Sequence, residues 1–111
     1  MGEEHSMSIK TLDSKGLKEK LDKGENIILV DCREQDEWDD GHIEQASLMP
    51  LSNFESEAEK LTDKNAEIIL QCRSGKRSLQ AATYLEEQGF SNLTNLEGGI
   101  LGWIEQGLPT K

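Results

Sequence analysis

Residues 72–78 read CRSGKRS, so Cys72 is followed by Arg73, Ser74, Gly75, Lys76, Arg77 and Ser78. A glycine, two hydroxyls and three cations thus surround one thiol. Gly75 lets the chain curl through positive φ, and a curled loop can aim successive N–H groups at one point as an anion-binding nest. A helix starting near Arg77 would add the positive end of its dipole. A thiol in such a place loses its proton more readily and becomes a nucleophile.

Arg73 and Lys76 would flank the mouth and attract a small anion, although simple solvation is an alternative for a flexible ammonium such as Lys76. Arg77 could instead turn inward and brace the loop against Asp31 or a nearby glutamate. Ser74 and Ser78 could donate hydrogen bonds to the sulfur, and Ser78 is equally well read as a helix N-cap. The inert alternative is a turn whose Gly, Ser and Lys serve capping beside a buried cysteine. Capping explains three cations within five residues of a thiol poorly.

Composition narrows the partners. The chain has 111 residues, 34% apolar and 31% charged, with 22 acids against 12 Lys and Arg for a net charge of −10. That suits one domain with its own core. A field of that sign repels nucleic acid and anionic membranes, so neither is an expected partner, and a docking protein would be basic. The longest aliphatic run, IILV at 27–30, is far too short for a membrane helix. The start, MGEEHSMS, lacks the pattern of a signal peptide. The expectation is a cytoplasmic protein, or a periplasmic one if a leader has been removed. Cys32, Cys72, His5 and His42 match no zinc-ligand spacing, so no metal and no cofactor is expected.

The elements that must hold the loop alternate between strand-like and helix-like patterns, as in an α/β domain with a mainly parallel sheet. Residues 1–7 read as a flexible N-terminal segment and 8–108 as the domain. A short strand at 8–10 precedes a helix capped by Asp13, with Leu17 and Leu21 on one face and Gly24 at its end. IILV is a strand covered on both faces. EQDEWDD at 34–40 gives one or two helical turns carrying Trp38 inward, and 47–49 a brief strand stopped by Pro50. Phe54, Ala58 and Leu61 mark a helix by their spacing, and 68–70 a second buried strand. A helix follows from Ser78 to Gln88, then a strand at 93–96 and a closing helix from GGILGW toward Gly107.

Three stretches together resemble the rhodanese family. CRSGKRS is similar to its active-site loop. Residues 29–51, LVDCREQDEWDDGHIEQASLMPL, resemble its upstream signature, in which a strand ends in Asp-x-Arg before an acid–aromatic pair and Gly-His-Ile. LEGGILGW at 96–103 resembles its downstream pair of glycines before a tryptophan. The resemblance implies a five-stranded parallel sheet flanked by helices on both faces. It also implies sulfur transfer: Cys72 takes the outer sulfur of thiosulfate or another donor, carries it as a persulfide held by N–H groups of residues 73–78, and yields it to a thiol or cyanide. Four residues separate Cys72 from Arg77, whereas the phosphatases of this superfamily use five. The shorter ring fits a sulfur better than a phosphate.

Asp31 and Arg33 would be supporting residues at the end of the neighbouring strand, orienting the loop through paired charges. His42 reads as a loop brace, since a preformed thiolate needs no general base. Trp38 and Trp103 read as core anchors. Cys32 stands where the family usually has a small apolar residue; it is either a buried small hydrophobe or a resolving thiol for Cys72. Two rival functions follow: a non-catalytic rhodanese-like binding or regulatory module, and a Cys32–Cys72 redox sensor. The expected partners are a small sulfur donor and a thiol acceptor, with a sulfur-relay protein as a further candidate, for a monomeric enzyme.

Overall fold

The computed structural model describes residues 9–111; the segment 1–7 and Ser8 lie outside the described residues. Five strands, β1 (Lys10–Leu12), β2 (Ile27–Asp31), β3 (Ala46–Leu48), β4 (Glu67–Gln71) and β5 (Leu93–Leu96), form one sheet in the order β1-β5-β4-β2-β3. Every pairing is parallel. The helices are α1 (Ser14–Asp22), α2 (Gln35–Asp39), α3 (Phe54–Glu57), α4 (Lys76–Glu87) and α5 (Gly99–Glu105).

The apolar runs explain why β2 and β4 are central. Alternate side chains of each run feed opposite faces, and both faces are covered. Val30, Ile68 and Leu70 pack with Phe54, Ala81, Ala82 and Leu85 from α3 and α4. Leu29, Ile69 and Leu96 pack with Leu17, Ile100 and Trp103 from α1 and α5. From β3 the chain returns to β4 at the centre, then moves outward to β5 on the other side. A ligand crevice is expected where the direction of travel reverses, beyond the carboxyl ends of β2 and β4. Cys72 stands at that point.

Several boundaries differ from those read in the sequence. β1 begins later than the expected strand at 8–10, because Lys10–Leu12 is the stretch in register with Thr94–Leu96. β3 begins one residue earlier than expected, at Ala46. The spacing of Phe54, Ala58 and Leu61 does not produce a continuous helix. Instead, one α turn lies between 3-10 turns at Leu51–Asn53 and Ala58–Lys60, so Leu61 closes the segment. Asp13 does cap α1, its carboxylate accepting from the Gly16 N–H at 2.9 Å. At the other end, Trp103 Nε1 donates to Pro109 O at 2.7 Å, and His42 and Lys111 exchange two backbone hydrogen bonds, so the chain past 108 is tied to the domain.

Candidate active site

β4 delivers Cys72 to the floor of a loop whose shape is set by Gly75, at φ 113° and ψ −9°. That left-handed conformation suits glycine and turns the chain straight into α4. The helix begins at Lys76, two residues before the expected Ser78. Gly75 is therefore the N-cap, and the reading of Ser78 as N-cap is corrected: Ser78 lies in the first turn with its side chain turned inward, fully buried. Lys76 and Arg77 likewise belong to the helix rather than to the loop.

The Cys72 sulfur is nearly enclosed, with the residue 1% exposed. The Gly75 N–H donates to Sγ at 3.1 Å, and the Ser78 hydroxyl lies 3.4 Å from it. Burial alone would push the thiol up. The Ser78 hydroxyl and the N–H groups of Ser78, Gly75 and Ser74 outweigh burial and hold it below its ordinary range. The leading activating groups are thus neutral donors, two of them within 3–4 Å of the sulfur, while Arg77 is coupled to the sulfur only through its charge. Arg73, Ser74 and Lys76 are exposed on the rim. Neither Arg73 nor Lys76 forms an ion pair among the described residues.

Arg77 does turn inward, and of the two partners open to it in the sequence it takes a glutamate. Its Nη1 and Nη2 reach the Glu37 carboxylate at 2.7 and 2.9 Å. Asp31, fully buried, is paired instead with Arg33, whose Nε and Nη2 donate to it, the latter at 2.9 Å. Arg33 also donates to the carbonyls of Glu37 and Gly41 at 3.2 and 2.8 Å. Asp31 and Arg33 therefore anchor α2, α2 presents Glu37, and Glu37 holds Arg77 at the start of α4. This chain of charged contacts braces the loop without touching the sulfur.

The Arg77 guanidinium holds the Glu37 carboxyl down to about 2 from a usual 4.5. A carboxylate depressed by folding contributes stability that is complete above its unfolded value and is lost as pH falls through the folded value. The pair is about one-third exposed, so solvent screening limits it to about 1 kcal/mol. The urea midpoint should therefore fall between pH 5 and pH 2, and Glu37→Gln should remove that part of the fall. A pH response unchanged in the variant would show that the pair does not stabilise the fold.

His42 stacks on Trp38 with ring centroids 3.7 Å apart and planes 4° from parallel, and its Nδ1 lies 3.1 Å from Trp38 O. Trp38 is only half-buried, so it is not the core anchor expected; Trp103, at 1% exposure, is. Cys32 is buried one residue beyond the β2 pairing of Asp31 with Gln71, which places it beside Cys72. Burial first, then the negative charge of Cys72 and Asp31, pushes its thiol well above the ordinary range. Among the described residues no cluster of His, Cys, Asp and Glu could hold a metal ion, and no helix is long and apolar enough to cross a membrane.

One contributor escaped the sequence reading. Asn95, on β5, donates from Nδ2 to Gly75 O at 3.1 Å and accepts from the Ser78 hydroxyl at 2.5 Å. An asparagine in a short strand carries no sequence signal of its own. Its place directly before the LEGG motif was the available clue.

Comparison with known proteins agrees with this geometry. The Rhodanese-like domain model matches residues 13–106. The chain is 40% identical over 103 residues to YtwF of Bacillus subtilis, covering 93% of this chain and 98% of that one. It is 36% identical over 101 residues to a protein named Sulfurtransferase from Allochromatium vinosum, covering 91% and 94%. A Rhodanese-like Domain Protein from Staphylococcus aureus superposes with a TM-score of 0.81 at 31% identity, covering 93% and 99%. With the family model spanning most of its length and the thiol loop at the carboxyl end of the central strand, the chain belongs to the rhodanese-like domain family.

Proposed function

We propose that this protein transfers sulfane sulfur from thiosulfate, or a donor of similar charge, to a thiol or cyanide through a persulfide on Cys72. The observation that carries the reading is the Cys72 sulfur held below the ordinary thiol range at the centre of a ring of hydrogen-bond donors. The Cys72 thiolate attacks the outer sulfur of thiosulfate. The sulfur–sulfur bond of the donor breaks, and sulfite leaves with its electron pair. The resulting Cys72 persulfide anion extends the sulfur by about 2 Å toward the rim. There an acceptor attacks the outer sulfur; cyanide leaves as thiocyanate, and the Cys72 thiolate returns. Arg73 and Lys76, exposed on the rim, meet the donor's oxygens. Glu37, Arg77, Asp31 and Arg33 keep the loop in place.

The family and its sulfurtransferase relative support sulfur transfer in general terms; the donor and acceptor are our reading of the site. So are a small-molecule or relay-protein acceptor and a cytoplasmic location, where two free cysteines stay reduced. The redox-sensor alternative asks Cys32 to act as a thiolate, and its buried, strongly raised thiol disfavours that.

Intact-protein mass spectrometry after brief thiosulfate treatment tests the reading. The expected result is a gain of one sulfur atom that cyanide removes. No gain with thiosulfate or any other sulfane donor would transfer the weight to a non-catalytic module. A loss of two hydrogens under mild peroxide, with no sulfur gain, would favour the Cys32–Cys72 sensor.

A further inference from the structure

The Ser78 hydroxyl has one hydrogen and two acceptors facing it: Asn95 Oδ1 at 2.5 Å and Cys72 Sγ at 3.4 Å. It cannot donate fully to both. The orientation of the Asn95 amide is fixed by its other contact, since Gly75 O can only accept and must therefore face Nδ2. Oδ1 is then bound to face the hydroxyl. While Cys72 is a neutral thiol, the amide oxygen is the nearer and better acceptor. Once the sulfur is negative, as thiolate or as persulfide, a charge-assisted bond to sulfur is the stronger one.

We propose that Asn95 is a positioning residue for sulfur transfer, holding the Ser78 hydroxyl hydrogen while Cys72 is neutral and releasing it toward the sulfur when negative charge arrives. The hydrogen stays bonded to Ser78 Oγ throughout, and only its direction changes. The same amide clamps Gly75, whose N–H remains aimed at the sulfur in both states. Asn95 thereby links two of the donors around the sulfur from the neighbouring strand. The proposal rests on Cys72 as the reacting sulfur, but its test does not require turnover.

The test measures the rate at which iodoacetamide alkylates Cys72, read at that residue by peptide mass across a range of pH. Asn95→Asp puts a stronger acceptor opposite the hydroxyl and a negative charge near the sulfur, so the midpoint should rise by about one pH unit. Asn95→Leu removes the competing acceptor and leaves sulfur as the only one. The loop keeps backbone anchors at Cys72 O, Arg73 O and Gly75 O, so the midpoint should fall. Should the leucine variant not fold, Asn95→Ala carries the same sign.

In a Ser78→Ala background, removing the amide should no longer lower the midpoint. Opposite shifts from the two Asn95 variants, with the downward one dependent on Ser78, establish the role. Upward shifts from both, no shift from Asn95→Leu, or a downward shift that persists without Ser78 would overturn it. A protein that shows this alkylation pattern yet gains no sulfur from any donor would count against sulfur transfer while upholding the role of Asn95.

Discussion

Cys72→Ser is expected to abolish sulfur loading and to lower turnover of thiosulfate and cyanide by at least about 10^4-fold, as removal of a covalent nucleophile does. The fold should survive. Serine is close to cysteine in size, and the Gly75 N–H and the Ser78 hydroxyl can donate to an oxygen in the sulfur's place. An alkoxide, unlike a thiolate, is not populated near neutral pH even in this ring of donors. The measurement is paired: steady-state thiocyanate formation and intact mass after thiosulfate. Substantial turnover in the variant would mean that the reacting sulfur is not on Cys72, and the proposed mechanism would fall.

Gly99→Ala should be the most damaging substitution away from the sulfur. Gly99 sits at φ 56° beneath the loop, and a Cβ there would stand 2.5 Å from Cys72 O and in clash with Arg73 O. Both obstacles are backbone and cannot swing away. Strain from positive φ contributes about 1 kcal/mol and the forced separation of α5 from the loop about 1–3 kcal/mol more. A loss of about 3 kcal/mol by urea denaturation is expected, with sulfur loading lost as the loop is lifted. Gly107→Ala separates the two effects, because Gly107 has φ 75° but open space around it. That control should cost about 1 kcal/mol and leave loading intact. Equal losses in the two variants would show that the close approach beneath Cys72 contributes nothing.

The fold was legible where burial dictates residue type over several positions. IILV and the run ending in Leu70 read as strands covered on both faces, and the loop between β4 and α4 is set by a glycine whose position is visible in the sequence. Elements defined by pairing rather than composition were harder. β1 and β3 are three residues each, and their limits follow from register with a neighbour far along the chain. The break between Leu51 and Lys60 escaped because its apolar spacing is helical while its backbone is mixed. In the site, the sulfur and its loop were evident, whereas the partner of Arg77 was not. Glu37 is one acid in a run of several, and only the anchoring of α2 by Arg33 selects it. Asn95 was invisible for a related reason: its two bonds reach residues 17 and 20 positions away.

The arrangement of the loop's carbonyls has a bearing on the energetics of turnover. Cys72 O is bound by the Ile100 N–H and Arg73 O by the Leu101 N–H, at 2.9 and 3.2 Å, while Gly75 O is held by the Leu79 N–H and Asn95. With these three oxygens tethered, the peptide units that carry them are held in fixed orientations, like a dielectric already set before the field is applied. Water around a free thiolate must reorient each time charge moves from one sulfur to the next, and that rearrangement is part of the barrier. Here those orientations were set during folding, so negative charge that would pass from the Cys72 sulfur to a transferred sulfur meets dipoles that need not reorganise.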